Sequence, residues 1–297
     1  MKIATAQYPI QFHQSFAAWD QYTEQWVKNA ADQQAHILLF PEYGSMELVS
    51  LFSESVRQDI REQVRSVHAL EKDFDNTFIR LAQKYEVVII APSVPFELHG
   101  KRINRAKVYS SKGLVGYQDK AFMTRFENEE WGIVSGTPEL HVFKTAWGNF
   151  GIQICYDIEF PIGSKLLAEA GAQVIFAPSC CETLRGSTRV HVGARARALE
   201  NQVYTVVAQT IGNCDWSPAV DINYGYTAVY STPDLDFPDE GIISIRPAQQ
   251  EGWLVQELDI GKLDTVRTQG SVFNYRDNQR LKISLDEQAF VVRHIEV

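Results

Sequence analysis

Nowhere in the 297 residues is there an apolar run of the ~18 residues that a bilayer-crossing helix needs, so no membrane span is expected. Cysteine is scarce: Cys155, Cys180, Cys181 and Cys214 are the full set. Four in a chain of this size do not make a disulfide framework. No C-x-x-C pair occurs and no histidine stands at ligand spacing from a cysteine, so each is expected as a free thiol and no structural zinc is expected. Positive charge is also short. The net charge is −9, and the lysines and arginines are scattered rather than gathered into a stripe, so no nucleic-acid partner is expected. Linkers, charge blocks, low-complexity segments and short repeats are missing too, so residues 1–297 are read as one domain. In the opening IATAQYPIQF, Gln7 and Pro9 interrupt any secretory-type apolar core, and a cytoplasmic location is the expectation.

What is present is the composition of a soluble globular protein, 45% hydrophobic and 22% charged. Short β-rich runs alternate with helical-period segments, the pattern of an α/β fold. KIATAQY, HILLFPE, EVVIIAPSVPF, RAKVYSS and LVGYQDK read as strands, the last two joined at Gly113 as a hairpin. Helices are expected from about Phe16 to Ala35 and from about Ser53 to Tyr85, the second broken near Asp73–Asp75. Downstream, NFGIQICYD, QVIFAPS, VYTVVAQT, TAVYST, GIISI and GWLVQELD read as strands. PIGSKLLAEAGA and STRVHVGARARALENQ read as helices, the former opened by Pro161 and closed on Gly171. From about Asn274 the chain reads as an irregular arm suited to a subunit interface.

Three polar residues end strand-like runs: Glu42 after HILLFP, Lys120 after LVGYQD and Cys155 after NFGIQI. In α/β sheets, sites collect at that edge. A thiol of ordinary pKa is mostly protonated at neutral pH and needs a cation or a base to become a nucleophile. Lys120 supplies the cation and Glu42 the base. Taken singly, each has a plainer reading, since a lone cysteine is usually a small buried hydrophobe and a strand-edge Glu or Lys is usually solvated.

The wording of the segments goes further. FPEYG around Glu42, YQDKAFM around Lys120 and ICYDIEFP around Cys155, in that order, resemble the Glu-Lys-Cys signature of the nitrilase superfamily. IATAQYPI, GAQVIFAPS and ARARALENQVYTVVAQTIG are similar to that family's first strand, its segment after the nucleophile helix, and its arginine-rich helix with the following strand. The resemblance implies a four-layer α-β-β-α sandwich whose protomers pair into a homodimer or larger homo-oligomer, with no cofactor and no metal. It also implies a second glutamate between the lysine and the cysteine. ENEEWGIVSG offers three, and Glu129 fits the family spacing best, with Glu127 and Glu130 as alternatives.

The implied chemistry is hydrolysis of a non-peptide carbon–nitrogen bond of a small amide or carbamoyl compound through a Cys155 thioester. Glu42 acts as acid and base, while Lys120 and the Tyr156 N–H face the oxyanion. Cys155-Tyr156-Asp157 resembles the amidase branch, where nitrilases proper carry Cys-Trp-Glu. A nitrile-cleaving enzyme and a non-catalytic scaffold of the same fold are the competing readings. Where many amidase-branch sequences have Arg, this chain has Glu159, which would attract an amine or guanidine group unless a neighbouring Arg such as Arg185 neutralises it. Trp131 and Tyr156 are expected as pocket walls and Cys180 as a lining residue, while His191 and Cys214 are expected as packing.

Overall fold

The computed structural model describes residues 1–286 and residue 293. In chain order its strands are β1 (Lys2–Pro9), β2 (Ile37–Leu39), β3 (Val88–Ile90), β4 (Val94–Leu98), β5 (Lys101–Ser110), β6 (Gly113–Asp119), β7 (Phe143–Thr145), β8 (Gly148–Ile152), β9 (Val174–Ser179) and β10 (Tyr204–Asn213). Four more strands follow, β11 (Ile222–Asn223), β12 (Ala228–Tyr230), β13 (Ile242–Ile245) and β14 (Gly252–Glu257). The helices are α1 (Phe16–Ala31), α2 (Glu54–Arg57), α3 (Ile60–Ser66), α4 (Glu71–Tyr85), α5 (Pro161–Glu169), α6 (Leu184–Asn201), α7 (Gly261–Gln269) and α8 (Asn274–Asp286).

The main path of the sheet runs β4-β5-β3-β2-β1-β10-β9-β8-β7. Strands β3, β2, β1, β10, β9 and β8 are mutually parallel. Strand β6 runs antiparallel to β5, which runs antiparallel to β3, so β6 points the same way as the parallel set. The residues following β2, β6, β8 and β9 therefore emerge at one edge.

The period-2 alternation of side chains sorts the layers. Along β2, Ile37 and Leu39 join a central core with Phe150, Ile152 and Phe176, while Leu38 turns to a second core with Phe40, Trp19, Phe74 and Phe78. That second core is closed by the apolar stripes of α1 (Trp19, Trp26, Val27, Ala30) and α4 (Phe74, Phe78, Leu81, Ala82). On the other side, α6 lays Val190, Ala194 and Ala198 against the β9 and β10 region. Helices, two halves of a curled sheet and helices again make the α-β-β-α sandwich.

Two expectations are corrected. The break in the Ser53–Tyr85 helical segment falls at Gln58–Asp59 and in the tight turn Val67–Leu70, whereas Asp73–Asp75 lies inside α4. Asp59 drives the first break by capping α3, accepting from the Arg61 and Glu62 N–H groups at 3.0 Å each. The supposed irregular arm begins instead as helix α8, docked on its own chain. Lys165 Nζ donates to the Asn278 carbonyl at 2.6 Å, and Asn278 Nδ2 donates to Asn201 Oδ1 at 3.1 Å. The rest of that arm, apart from residue 293, lies outside the described residues.

Candidate active site

Glu42 stands three residues past β2, Lys120 directly past β6, and Cys155 three residues past β8, where it opens the 3-10 turn Cys155–Glu159. Cys155 has φ of 49° and Tyr43, next to Glu42, has φ of 54°. A left-handed conformation costs a non-glycine residue about 1–2 kcal/mol, strain that the packing around both turns sustains. Asp157 anchors the Cys155 turn. Its carboxylate accepts from the N–H groups of Phe122 (2.8 Å), Ala121 (3.2 Å) and Ile154 (3.2 Å). One side chain thus ties the nucleophile turn to the segment leaving Lys120. Burial pushes the Asp157 carboxyl up to about 7 against Lys120 and these donors.

At the centre is a buried ion chain. Lys120 Nζ donates to Glu42 Oε1 at 2.8 Å and to Glu127 Oε2 at 2.6 Å. All three side chains are at most 4% exposed. Asn104 Nδ2 donates to Glu42 at 2.9 Å and reaches Glu127 at 3.5 Å. Tyr43 Oη donates to Glu127 at 2.7 Å, and Thr124 offers it both N–H and Oγ1 at 2.9 Å. The Cys180 N–H donates to Glu42 Oε2 at 2.9 Å, stapling the end of β9 to the end of β2 across the curl.

The charges follow from these contacts. Burial opposes the Lys120 charge, but Glu127 and Glu42 outweigh it and hold the ammonium well above its usual range. Burial pushes Glu42 up even with Lys120 beside it, and Glu127 adds to the rise. Burial also works against the Glu127 carboxylate, yet Lys120, Thr124 and Tyr43 hold it below the ordinary range. The Cys155 thiol is pushed well up by the Cys181 thiol, by burial and by Glu42. A nucleophile in that state keeps its proton at rest and needs a base at the moment of attack. Glu42, which lines the same cavity as Cys155, is the carboxylate in place.

These groups open onto a cavity of about 450 Å³. Tyr156, Glu159, Trp131 and Cys180 are among the residues that line it. Trp131 is wedged on Tyr43 with ring centroids 5.0 Å apart. Glu129 does not belong to this site: its carboxylate is 61% exposed and pairs with Arg125 at 3.0 Å. Glu127 occupies the place against Lys120 that spacing had assigned to Glu129. The wide helical turn Phe126–Trp131 explains the difference, because residues two apart on a helical turn point to opposite sides. Glu159 is not a free acid, since Arg189, rather than Arg185, pairs with it at 3.2 Å. Sequence reasoning missed Asn104, Tyr43, Thr124 and Asp157 as site-building residues. Tyr43 and Asp157 lie within FPEYG and ICYDIEFP, but the contacts of all four are not written there, because each acts through a partner at least three residues and as many as 84 residues away. Cys214 and His191 are buried packing residues: Cys214 Sγ sits 3.4 Å from the Ile10 carbonyl, and His191 stacks on Tyr226 at 3.7 Å. Among the described residues, no cluster of metal-binding side chains is present and no helix is long and apolar enough to cross a membrane.

A curled α-β-β-α sandwich with a Glu-Lys-Cys constellation at one sheet edge defines a class. A family model described as carbon-nitrogen hydrolase matches residues 2–268, and the chain belongs to that family, within the nitrilase superfamily. A Bacillus subtilis protein described as the probable hydrolase YhcX is 33% identical over 280 residues, covering 94% of this chain and 54% of that one. The chain thus spans about half the length of that relative. Omega-amidase NIT2 of Danio rerio is 25% identical over 268 residues, 87% of this chain and 88% of that protein. Among solved structures, a carbon-nitrogen hydrolase from Helicobacter pylori superposes with a TM-score of 0.78 at 17% identity, covering 97% of each chain. At that identity the likeness shows the fold.

Proposed function

We propose that the chain is an amidase that hydrolyses the carbon–nitrogen bond of a small amide or carbamoyl compound through a thioester on Cys155. The observation that carries this reading is the Glu42–Lys120–Glu127 ion chain, buried beside Cys155 at the floor of the cavity. In the first step Cys155 Sγ attacks the carbonyl carbon while Glu42 takes the thiol proton. Lys120 Nζ and the Tyr156 N–H, in the first turn after the nucleophile, face the developing oxyanion. Glu42 returns its proton to the leaving nitrogen, the C–N bond breaks, and ammonia or an amine departs. Water then attacks the thioester with Glu42 again as base, releasing the acid and restoring the thiol. Glu127 fixes Lys120 in place and keeps it charged. None of these steps needs a group beyond the chain's own residues and water. The name of the omega-amidase relative and the Cys-Tyr-Asp wording both favour an amide over a nitrile.

Ammonia release from a panel of small amides, carbamoyl compounds and nitriles, run with wild type and Cys155→Ala, tests the reading. Turnover of amides that disappears in Cys155→Ala supports it, and turnover confined to nitriles replaces it with a nitrilase. If no compound turns over and Cys155 resists iodoacetamide, the chain is a non-catalytic member of the fold.

A further inference from the structure

Lys120 meets Glu42 only if the end of β6 keeps its register on β5, and little along β6 fixes that register. Strand β6 lies off the main path of the sheet, paired with β5 alone. Residues 113–117 of it are exposed or half-buried, so burial of an apolar face does not select one pairing over the next. The ladder also shifts register between Val108 and Tyr109, so the turn at Gly113 does not by itself set the pairing at the far end. A slip of one residue there would turn every side chain to the opposite face and take Lys120 away from Glu42. At that far end stands another buried ion pair, Arg105 and Asp119, which face each other across β5 and β6 and do not line the cavity. Arg105 Nε donates to Asp119 Oδ1 at 2.6 Å and Nη2 to Oδ2 at 3.0 Å, with the side chains 8% and 0% exposed. The guanidinium lies 4.3 Å from the ring centroid of Phe96 and 3.7 Å from that of Tyr117, on the two strands that flank β5 at this point. Asp119 Oδ2 also accepts from the Thr137 N–H at 3.2 Å and from its Oγ1 at 2.7 Å. Beside Thr137, the Gly136 N–H donates to the Lys120 carbonyl at 3.0 Å, while the Lys120 N–H donates to the Asn104 carbonyl at 2.9 Å. Position 136 needs glycine for this approach, since a Cβ there would lie 2.3 Å from the Asp119 Cβ.

We propose that Arg105 and Asp119 are a positioning pair, whose bidentate bridge locks the β5–β6 register so that Asn104 and Lys120, one residue along on the opposite face, both reach Glu42. The role rests on the amidase reading, in which Lys120 faces the developing oxyanion. A buried ion pair contributes little net stability relative to apolar residues of similar volume, so stability alone gives no reason for a carboxylate with four hydrogen bonds behind a strand end. What the arginine fork supplies is geometry, because two parallel N–H···O bonds fix both the distance and the angle between the strands. Neither side chain touches the reacting groups, so the pair acts through Lys120. Misplacing the Lys120 ammonium by about 1 Å weakens its contact with the transition state more than with the bound amide, which lowers kcat and leaves KM in place.

The test compares wild type with Arg105→Lys, which keeps the charge and loses the fork, and with the double variant Arg105→Met and Asp119→Asn. The double variant leaves no buried charge alone and keeps an acceptor for Thr137. Two readouts are taken: kcat and KM on an amide that wild type turns over, and hydrogen exchange at the Lys120 and Gly136 amides. In both variants kcat is expected to fall at least about tenfold, with KM within about threefold of wild type. Exchange at Lys120 and Gly136 should be at least about tenfold faster, while the amides of β9 and β10, far along the sheet, exchange as in wild type. Exchange needs no turnover. A wild type that turns over no amide removes the amidase reading, and the exchange rates then decide alone whether the pair holds Lys120. If the double variant does not fold, Arg105→Lys decides the matter. Wild-type kcat in Arg105→Lys, exchange at Lys120 and Gly136 that stays slow, or a loss of kcat that only follows faster exchange throughout the sheet would overturn the proposal.

Discussion

Replacing Glu127 by Gln leaves Lys120 with a single carboxylate partner, Glu42, in a site where breaking a buried pair costs about 3–5 kcal/mol. We expect Glu127→Gln to lower kcat/KM by at least about a hundredfold, and Glu129→Gln, at an exposed ion pair, to stay within about threefold of wild type. The pH profile separates position from charge. Glu42 acts as a carboxylate and is held above the ordinary range, so the acid limb of kcat/KM should lie above that of a free glutamate. Glu127 is one of the charges raising Glu42, so in Glu127→Gln the acid limb should move to lower pH. An unchanged limb would mean that a different group titrates. At this scale the sequence was informative about Glu42, Lys120 and Cys155, because each lies within three residues of the end of its own strand. It could not rank the three glutamates of ENEEWGIVSG, since their directions depend on the turn that carries them.

At the scale of elements, α6 holds the nucleophile turn. Gly193 lets it approach closely: a Cβ there would lie 2.8 Å from the Ile158 carbonyl oxygen and 3.2 Å from Glu159 Cα. Gly193→Ala must push α6 off the Cys155–Glu159 turn. We expect a loss of about 1–3 kcal/mol in chemical denaturation and slower iodoacetamide labelling of Cys155. A stable variant with unchanged labelling would show that the turn is positioned without α6. The same helix carries His191, which burial holds down at about 4 while Gln209 partly opposes the shift. Because its folded pKa is depressed, the unfolded chain binds the extra proton first. The stability linked to neutral His191 is therefore complete above about pH 6.5 and is lost as pH falls through about 4, a difference of about 3 kcal/mol. Comparing His191→Asn with wild type at pH 7.5 and pH 4.5 isolates this contribution from that of other groups. The gap between the two proteins should narrow at the lower pH, and a constant gap would assign His191 a packing role alone.

At the scale of the whole molecule, helices α5 and α6 leave apolar side chains in solvent. Ile162 and Leu166 on α5 are 52% and 41% exposed, and Val192 on α6 is 61% exposed. Ile162 and Leu166 are four apart, hence on one helical face. We propose that this face pairs with its counterpart in a second copy, joining two sandwiches through their helical layers. Light scattering after size exclusion should give a mass of at least two chains for wild type. Leu166→Glu with Val192→Glu should shift it toward one chain while the far-ultraviolet circular dichroism stays the same. A wild type that runs as a single chain would remove the proposal.

The sequence by itself determined the class of fold, because hydrophobic periodicity is a local property and β-rich runs alternate with helical ones along most of the chain. It also determined where the Glu42, Lys120 and Cys155 segments end, since each boundary is written in a few adjacent residues. Only the tertiary structure decided what those residues meet. Glu127 rather than Glu129 reaches Lys120, Arg189 rather than Arg185 neutralises Glu159, and Asn104 links two carboxylates from a neighbouring strand. Cys155 and Cys181, 26 positions apart by subtraction of their numbers, come to line one cavity because the strands before them, β8 and β9, pair in parallel. The physical reason is common to all four. Strand and turn formation are governed by nearest neighbours, whereas a buried charge or thiol acquires its role from groups that only the curl of the sheet brings within hydrogen-bonding distance.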